Sequence, residues 1–357
     1  MRSSRRLEAE CQRNVEVMWL VGRLQPDYKS IAEFRRMHSR AVTDAGAELV
    51  RFARAVGLVR GETVALDGSQ FRAVSRAKSL RERNAVKRYL EQLEVADAQE
   101  EVVIDSSAVQ AALEKLKSDA EPEARFMRTA NGFVLAYNGQ TAVDAEHDLI
   151  VAQKVTDEAT DNRSLLPMAE AAKQVADAGY SNGEQAETCE SQGIVLHVPA
   201  QRAVNNQGDG TLFDRSEFHY DEKTDTFRCP ANQTLSRKQL QRHKTRVVYA
   251  GDAEVCGACT MKSRCTNAPQ RFVHRHLHDG ALQRMQQRAT PEMMRLRRST
   301  VEHPFASLKY HIFGNPRFLL RGLQGTQTEI SLATMLYNLK RMMNVLGANR
   351  LQAVLAG

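Results

Sequence analysis

Nowhere in its 357 residues does the chain hold the roughly 18 uninterrupted apolar residues that a membrane span requires. The opening Met1-Arg-Ser-Ser-Arg-Arg6 runs into polar sequence with no apolar stretch behind it, so no secretory signal is read there, and a cytoplasmic protein is the expectation. No internal repeat of useful length is visible, and no segment is low in complexity. Cysteine is scarce, at six residues. In a chain of this size without an export signal, disulfides are not expected, and clustered cysteines more often bind metal.

An apolar fraction of 42% and a charged fraction of 26% are those of ordinary globular proteins. The length suffices for two or three domains. Net charge is +7, unevenly spread. Residues 1–90 carry +9, 91–227 carry −17, 228–298 carry +11 and 299–357 carry +4. One 71-residue window thus holds more positive charge than the whole chain nets, which points to a local polyanionic partner such as nucleic acid.

Helical periodicity dominates residues 1–60, where Leu7, Cys11, Val15 and Met18 recur with Trp19 beside them as a packing residue. Ser30-Ile-Ala-Glu33 has the form of a capping box. The run Thr63-Val-Ala-Leu66 reads as a short buried strand ending at Asp67, with Gly68 turning the chain. Residues 76–128 are highly charged and read as an exposed helical excursion. A hairpin follows, with strands at 132–143 and 149–155 joined by a polar turn at 144–148. A helix is predicted at 163–174, a strand at 175–177 ending in Asp177, a helix from Asn182 and a strand at 194–198. The last helix, roughly 327–346, places Ile330, Leu332, Leu336 and Leu339 toward the core and stops at Gly347. This order predicts a mixed α/β sheet with flanking helices.

Asp67 and Asp177 are both expected at strand ends, where functional groups collect in open α/β sheets. Two carboxylates that close repel, and a hard divalent cation relieves the repulsion. The third element is Arg298-Ser-Thr-Val-Glu302-His-Pro-Phe-Ala-Ser-Leu-Lys309. At ~100° per residue, Arg298, Glu302 and Lys309 share a helix face, while Val301, Phe305 and Leu308 form an apolar stripe for the sheet. Pro304 removes an amide donor and disturbs the alignment of Lys309. His303 is read as a helix-surface group.

These three segments, in this order, resemble the catalytic signature of bacterial insertion-sequence transposases of the DDE type. In that family the third segment reads Tyr, two residues, Arg, three residues, Glu, six residues, Lys. Arg298, Glu302 and Lys309 match it, while Arg295 stands at the Tyr position. The similarity runs from about residue 20 to about 345, including Tyr337-Asn-Leu-Lys-Arg341.

The resemblance implies a ribonuclease-H-like catalytic core, with a first part at 61–205 and a second at 285–346 that carries the glutamate helix. It also implies a basic, cysteine-containing insertion at 206–284. The helical segment 1–60 would be the remnant of a DNA-binding domain shortened at its N-terminus. The implied function is cleavage of DNA at transposon ends and strand transfer into target DNA. Asp67, Asp177 and Glu302 would hold two Mg²⁺ ions, with Mn²⁺ able to substitute, and Arg298 and Lys309 would bind DNA phosphates. The partners would be transposon-end and target DNA, met by a homodimer or higher assembly, with no membrane. The competing readings are a non-enzymatic DNA-binding remnant or regulator of transposition, and a nuclease without strand transfer. Within the insertion, Cys229, Cys256, Cys259 and Cys265 suit a structural zinc site, against four reduced buried thiols. His274, His276 and His278 alternate as on a strand and are read as DNA-facing or structural.

Overall fold

A computed structural model describes residues 2–75, 121–129, 132–159, 161, 164–171, 174–175, 183–199, 212–242 and 245–356. The chain divides into two compact units, 1–176 with 292–357, and 177–291.

The first unit begins with helices α1 (Ser4–Arg13), α2 (Val15–Leu20), α3 (Tyr28–Met37) and α4 (Ser39–Ala55). Helix α3 starts earlier than the Ser30 capping box predicts. Asp27 is the cap, and its carboxylate accepts the amides of Lys29 and Ser30 while Ser30 Oγ donates to the same side chain. Trp19 does not pack: it is 82% exposed, and Val15 and Leu20 of α2 and Phe34 and Met37 of α3 are exposed as well.

Among the described residues, five strands form the sheet of this unit: β1 (Val64–Arg72), β2 (Arg125–Thr129), β3 (Gly132–Asp144), β4 (Ile150–Thr156) and β5 (Gln174–Val175). β1 runs antiparallel to β3 and parallel to β5, and β3 also pairs antiparallel with β2 and β4. The hairpin read from the sequence is the β3–β4 pair. Two expectations need correction. Residues 125–128, assigned to a helical excursion at 76–128, lie in the strand Arg125–Thr129 with a continuous register on β3; of the rest, 121–124 form a turn and 76–120 lie outside the described residues. Asp67 does not end its strand, because β1 keeps its ladder with β3 from Val64 through Arg72. Gly68 therefore makes no turn. A Cβ there would strike the side chains of Asp161, Gln140 and Asn138, so glycine serves close approach within the sheet.

Helix α5 (Leu165–Ala171) follows β4. The chain returns to this unit in α10 (Pro291–Ala306), which passes into a wide π-type turn over Ser307–Ile312, and ends in α11 (Gly322–Leu346) and α12 (Ala348–Ala356). One core joins Phe71, Tyr137, Val143 and Ile150 of the sheet to Val301, Phe305 and Leu308 and to Ile330, Ala333 and Tyr337 of α11. The buried side of α11 is thus not the leucine stripe: Leu332, Leu336 and Leu339 are exposed, whereas Thr334, Asn338 and Met342 are buried. Hydrogen bonding decides this. Asn338 accepts from Ile150 N at 2.9 Å and donates to Ile150 O at 2.8 Å. Tyr337 donates to Asp148 O, and Arg341 binds His147 O and the Asp148 carboxylate.

The second unit holds α6 (Gly183–Ser191), a meander of β6 (His219–Asp221), β7 (Thr226–Arg228), β8 (Thr234–Gln241), β9 (Arg246–Ala250) and β10 (Phe272–His276), the short helices α7 (Ala253–Gly257) and α8 (Lys262–Cys265), and α9 (Asp279–Arg288). Phe218, Phe227, Leu235, Val247, Tyr249 and Val273 form its core. Asp225, at positive φ in the β6–β7 turn, accepts the hydroxyls of Tyr220 and Tyr249, which is why its carboxyl lies below the usual range. The strand expected at 194–198 is instead irregular, with a bridge at His197 alone.

Asn338→Ala leaves the amide and carbonyl of buried Ile150 unpaired. It should lower the unfolding free energy by about 1–3 kcal/mol in urea titration, with an unchanged m-value.

Candidate active site

Side chains alternate along β1, so Ala65, Asp67, Ser69, Phe71 and Ala73 point to one face. Three of them, Ala65, Phe71 and Ala73, share a core with Val301, Phe305 and Leu308, so this is the face that receives α10 and the turn after it. The apolar stripe read from the sequence is therefore the docking surface of the helix. One turn N-terminal to Val301, the same stripe passes through Arg297. Its guanidinium contacts Asp67 Oδ1 at 2.5 Å and approaches Leu66 O at 3.4 Å. Both members of the pair are well covered, with side-chain exposures of 12% and 22%.

Lys309 reaches the same face from the π-type turn. Its Nζ donates to Ser69 Oγ at 2.5 Å and lies 5.4 Å from the Phe71 ring centre. Burial lowers the Lys309 pKa, and the Asp67 charge opposes that shift. The wide turn explains why Arg298, Glu302 and Lys309 do not keep one face. A π-type turn takes more residues per revolution than an α-turn, so Lys309 rotates toward the sheet. Arg298 and Glu302 are exposed on the flank of α10; Arg298 Nε donates to Met294 O at 3.3 Å. His303, also exposed, lies 3.4 Å from the Tyr337 hydroxyl. Asp177 lies outside the described residues. The structure thus gathers Asp67, Ser69, Arg297 and Lys309, with Glu302 five residues beyond Arg297 on the same helix. Sequence reasoning missed Arg297 and Ser69. Extending the Val301 stripe back by one turn marks Arg297.

In the second unit, Cys229, Cys256, Cys259 and Cys265 line one pocket of about 210 Å³. Burial pushes the Cys265 thiol up; Arg271 opposes this, and the other three thiols add to it. Among the described residues, no three His, Cys, Asp or Glu side chains stand in a ready metal-holding arrangement. Of the alternating histidines, His274 is exposed on β10, His276 packs at Gly183 and Thr245, and His278 pairs with Glu187.

A family model described as the transposase DDE domain matches residues 97–339. The chain belongs to this transposase family. Among curated proteins and solved structures nothing matches the chain. The span matched to the DDE domain includes Asp177, the four clustered cysteines, Glu302 and Lys309, and begins after Asp67. DDE transposases act on DNA and in general use divalent metal ions. No described helix is long and apolar enough to cross a membrane.

The two neighbouring arginines should separate in a stability measurement. Arg297→Met removes the guanidinium partner of the Asp67 carboxylate in a covered site and should cost about 1–3 kcal/mol in metal-free chemical denaturation. Arg298→Met, on the exposed flank, should stay within about 0.5 kcal/mol of the parent.

Proposed function

We propose that the chain is a DDE-type transposase that cleaves DNA at transposon ends by metal-dependent phosphoryl transfer and joins those ends to target DNA. The family match carries this reading. The docking of the glutamate helix on the strand that bears Asp67 supports it. The sheet also suits a ribonuclease-H-like core, with β1 antiparallel to the long β3 and parallel to β5.

In this reading Asp67, Asp177 and Glu302 hold Mg²⁺ or Mn²⁺. Their donor chemistry fits a hard cation, since all three offer carboxylate oxygens. The Glu302 carboxylate is exposed and makes no hydrogen bond or ion pair with the described residues. Bound there, a pair of Mg²⁺ ions would activate water or a 3′-hydroxyl and neutralise charge on the leaving oxygen.

The chain's own groups do the rest. The ladder to β3 holds the backbone of Asp67 opposite Thr141, so its carboxylate needs little reorganisation. Arg297 balances the Asp67 charge in the absence of metal. Lys309, held by Ser69, sets an ammonium beside Asp67 where a DNA phosphate would approach as a counter-charge. Arg298, exposed on the helix flank with no acidic partner among the described residues, offers its guanidinium to a neighbouring phosphate. The +11 window at 228–298 supplies sequence-independent affinity for the DNA backbone. DNA binding is expected to assemble a homodimer or a larger complex.

The test is cleavage of end-bearing DNA by the purified chain, read on a denaturing gel. Wild type should nick in Mg²⁺ or Mn²⁺ and not in chelator. Glu302→Gln should lose at least a hundredfold in rate while keeping the wild-type thermal transition and DNA affinity. Cleavage that survives Glu302→Gln overturns the catalytic assignment. End binding by wild type without any metal-dependent cleavage favours the non-enzymatic reading instead.

A further inference from the structure

We propose that Cys229, Cys256, Cys259 and Cys265 bind one zinc ion, which fastens the 252–266 segment to the meander sheet of the second unit. The four thiols come from two places far apart in sequence and converge on one largely apolar pocket. None is tied up in a disulfide. Cys229 and Cys265 also pack against the aromatic core of the meander.

The local backbone prepares the sulfurs for a cation. Cys229 follows β7 and opens a tight hook. Its N–H donates to Gln233 O at 2.9 Å, its carbonyl accepts from Asn232 N at 2.8 Å, and Asn232 adopts positive φ. That hook aims the Gln233 amide at Cys229 Sγ, 3.3 Å away. An N–H directed at sulfur is a weak contact for a thiol and a stronger one for an anionic thiolate. Across the pocket, Gly251 leaves the space that Cys256 Sγ needs, since a Cβ there would come within 2.8 Å of it. Lys262 and Arg271, also on the pocket wall, would offset the double negative charge of a zinc ion held by four thiolates.

The 252–266 segment has few attachments before Arg264 and Cys265. Its helices α7 and α8 have five and four residues, too short to hold by themselves. Val255 and Met261 are 43% and 41% exposed, so apolar burial contributes little there. A metal cross-link adds to the bonds at the end of the segment, where Phe213 N donates to Arg264 O and Arg271 donates to Cys265 O, each at 2.7 Å. Sulfur-only donors in a tetrahedral set select zinc over the hard cations that suit the carboxylate site. The sulfurs line the walls of one pocket, and among the described residues no three of them stand close enough to share an ion without a shift. Binding draws the turn residues inward and releases four thiol protons to solvent as four Zn–S bonds form.

Zinc content is measured without DNA, so its outcome is independent of the transposase reading. The full chain, produced in zinc-supplemented medium, should carry one zinc per chain by plasma emission spectrometry. Cys259→Ser and Cys229→Ser should each cut retained zinc at least tenfold. Because such variants can misfold, wild-type protein stripped of metal should also be titrated with Co²⁺. A thiolate-to-cobalt charge-transfer band that saturates at one equivalent and is displaced by Zn²⁺ supports the site. Wild type that carries less than a tenth of an equivalent, with all four thiols reacting freely with a disulfide reagent and no cobalt band, overturns it. Zinc retained at full stoichiometry in a Cys256→Ser/Cys259→Ser double variant overturns it equally.

Discussion

Apolar packing that joins one face of β1 to the Val301, Phe305 and Leu308 stripe of α10 and the turn after it positions the candidate site. Phe71, Val301, Phe305 and Leu308 are buried in it, and at about 1.5–3 kcal/mol for each fully buried large side chain they supply roughly 6–12 kcal/mol toward docking. The Asp67–Arg297 pair at the edge of the same contact contributes far less net energy, because desolvation offsets most of its attraction. Apolar packing therefore positions the helix, and the ion pair sets where charge sits along it. Pro304 and the π-type turn behind it modify only the far end, bringing Lys309 back onto the sheet and leaving Glu302 on the flank. A regular α-helix through residue 312 would have presented these charges differently.

Much of this arrangement is legible in the sequence wherever one local rule acts alone. The β3–β4 hairpin appears as two apolar runs about a polar turn, and the Val301, Phe305 and Leu308 stripe follows from helical period. Reading fails where tertiary contacts override the local signal. Asp67-Gly68 has the composition of a strand end, yet the ladder to β3 carries it into the middle of a nine-residue strand. Arg125–Thr129 sits at the end of a charged stretch with helical composition, and only its pairing with β3 makes it a strand. The meander was not legible as strands because much of it faces solvent: in β8, Ser236, Arg237, Lys238 and Gln239 are all exposed, so little apolar alternation is left to read.

The candidate site is legible to a different degree. Asp67, Glu302 and Lys309 stand in motifs that the eye can match, and their residue types state the chemistry directly. Arg297 lies beside a motif position, and motif matching draws attention to Arg298 instead. Burial separates the two: the helix turns about 100° between them, enough to take one to the sheet and leave the other in solvent. The four cysteines show the converse. Their spacing suggested a common site, but Cys229 is distant in sequence, and only the hook after β7 and the cap of α7 bring it to the same pocket as the other three.

The Tyr337-Asn-Leu-Lys-Arg341 segment shows that likeness to a family and chemical function are separate properties of a residue. It belongs to the set of motifs that carried the resemblance, yet its side chains bind the β3–β4 turn. Asn338 closes both polar groups of Ile150, Tyr337 and Arg341 hold the carbonyls of Asp148 and His147, and Arg341 also pairs with the Asp148 carboxylate. Asp148 is held at positive φ, a conformation that needs support for a non-glycine residue. These bonds fix the hairpin, the hairpin fixes β3, and β3 fixes the register of β1 along its whole length. A side chain on the last long helix thus bears on the position of Asp67 with no contact to it. Substitutions here should act through stability and through the placement of the carboxylate, and the chemistry of the reacting groups should be unchanged.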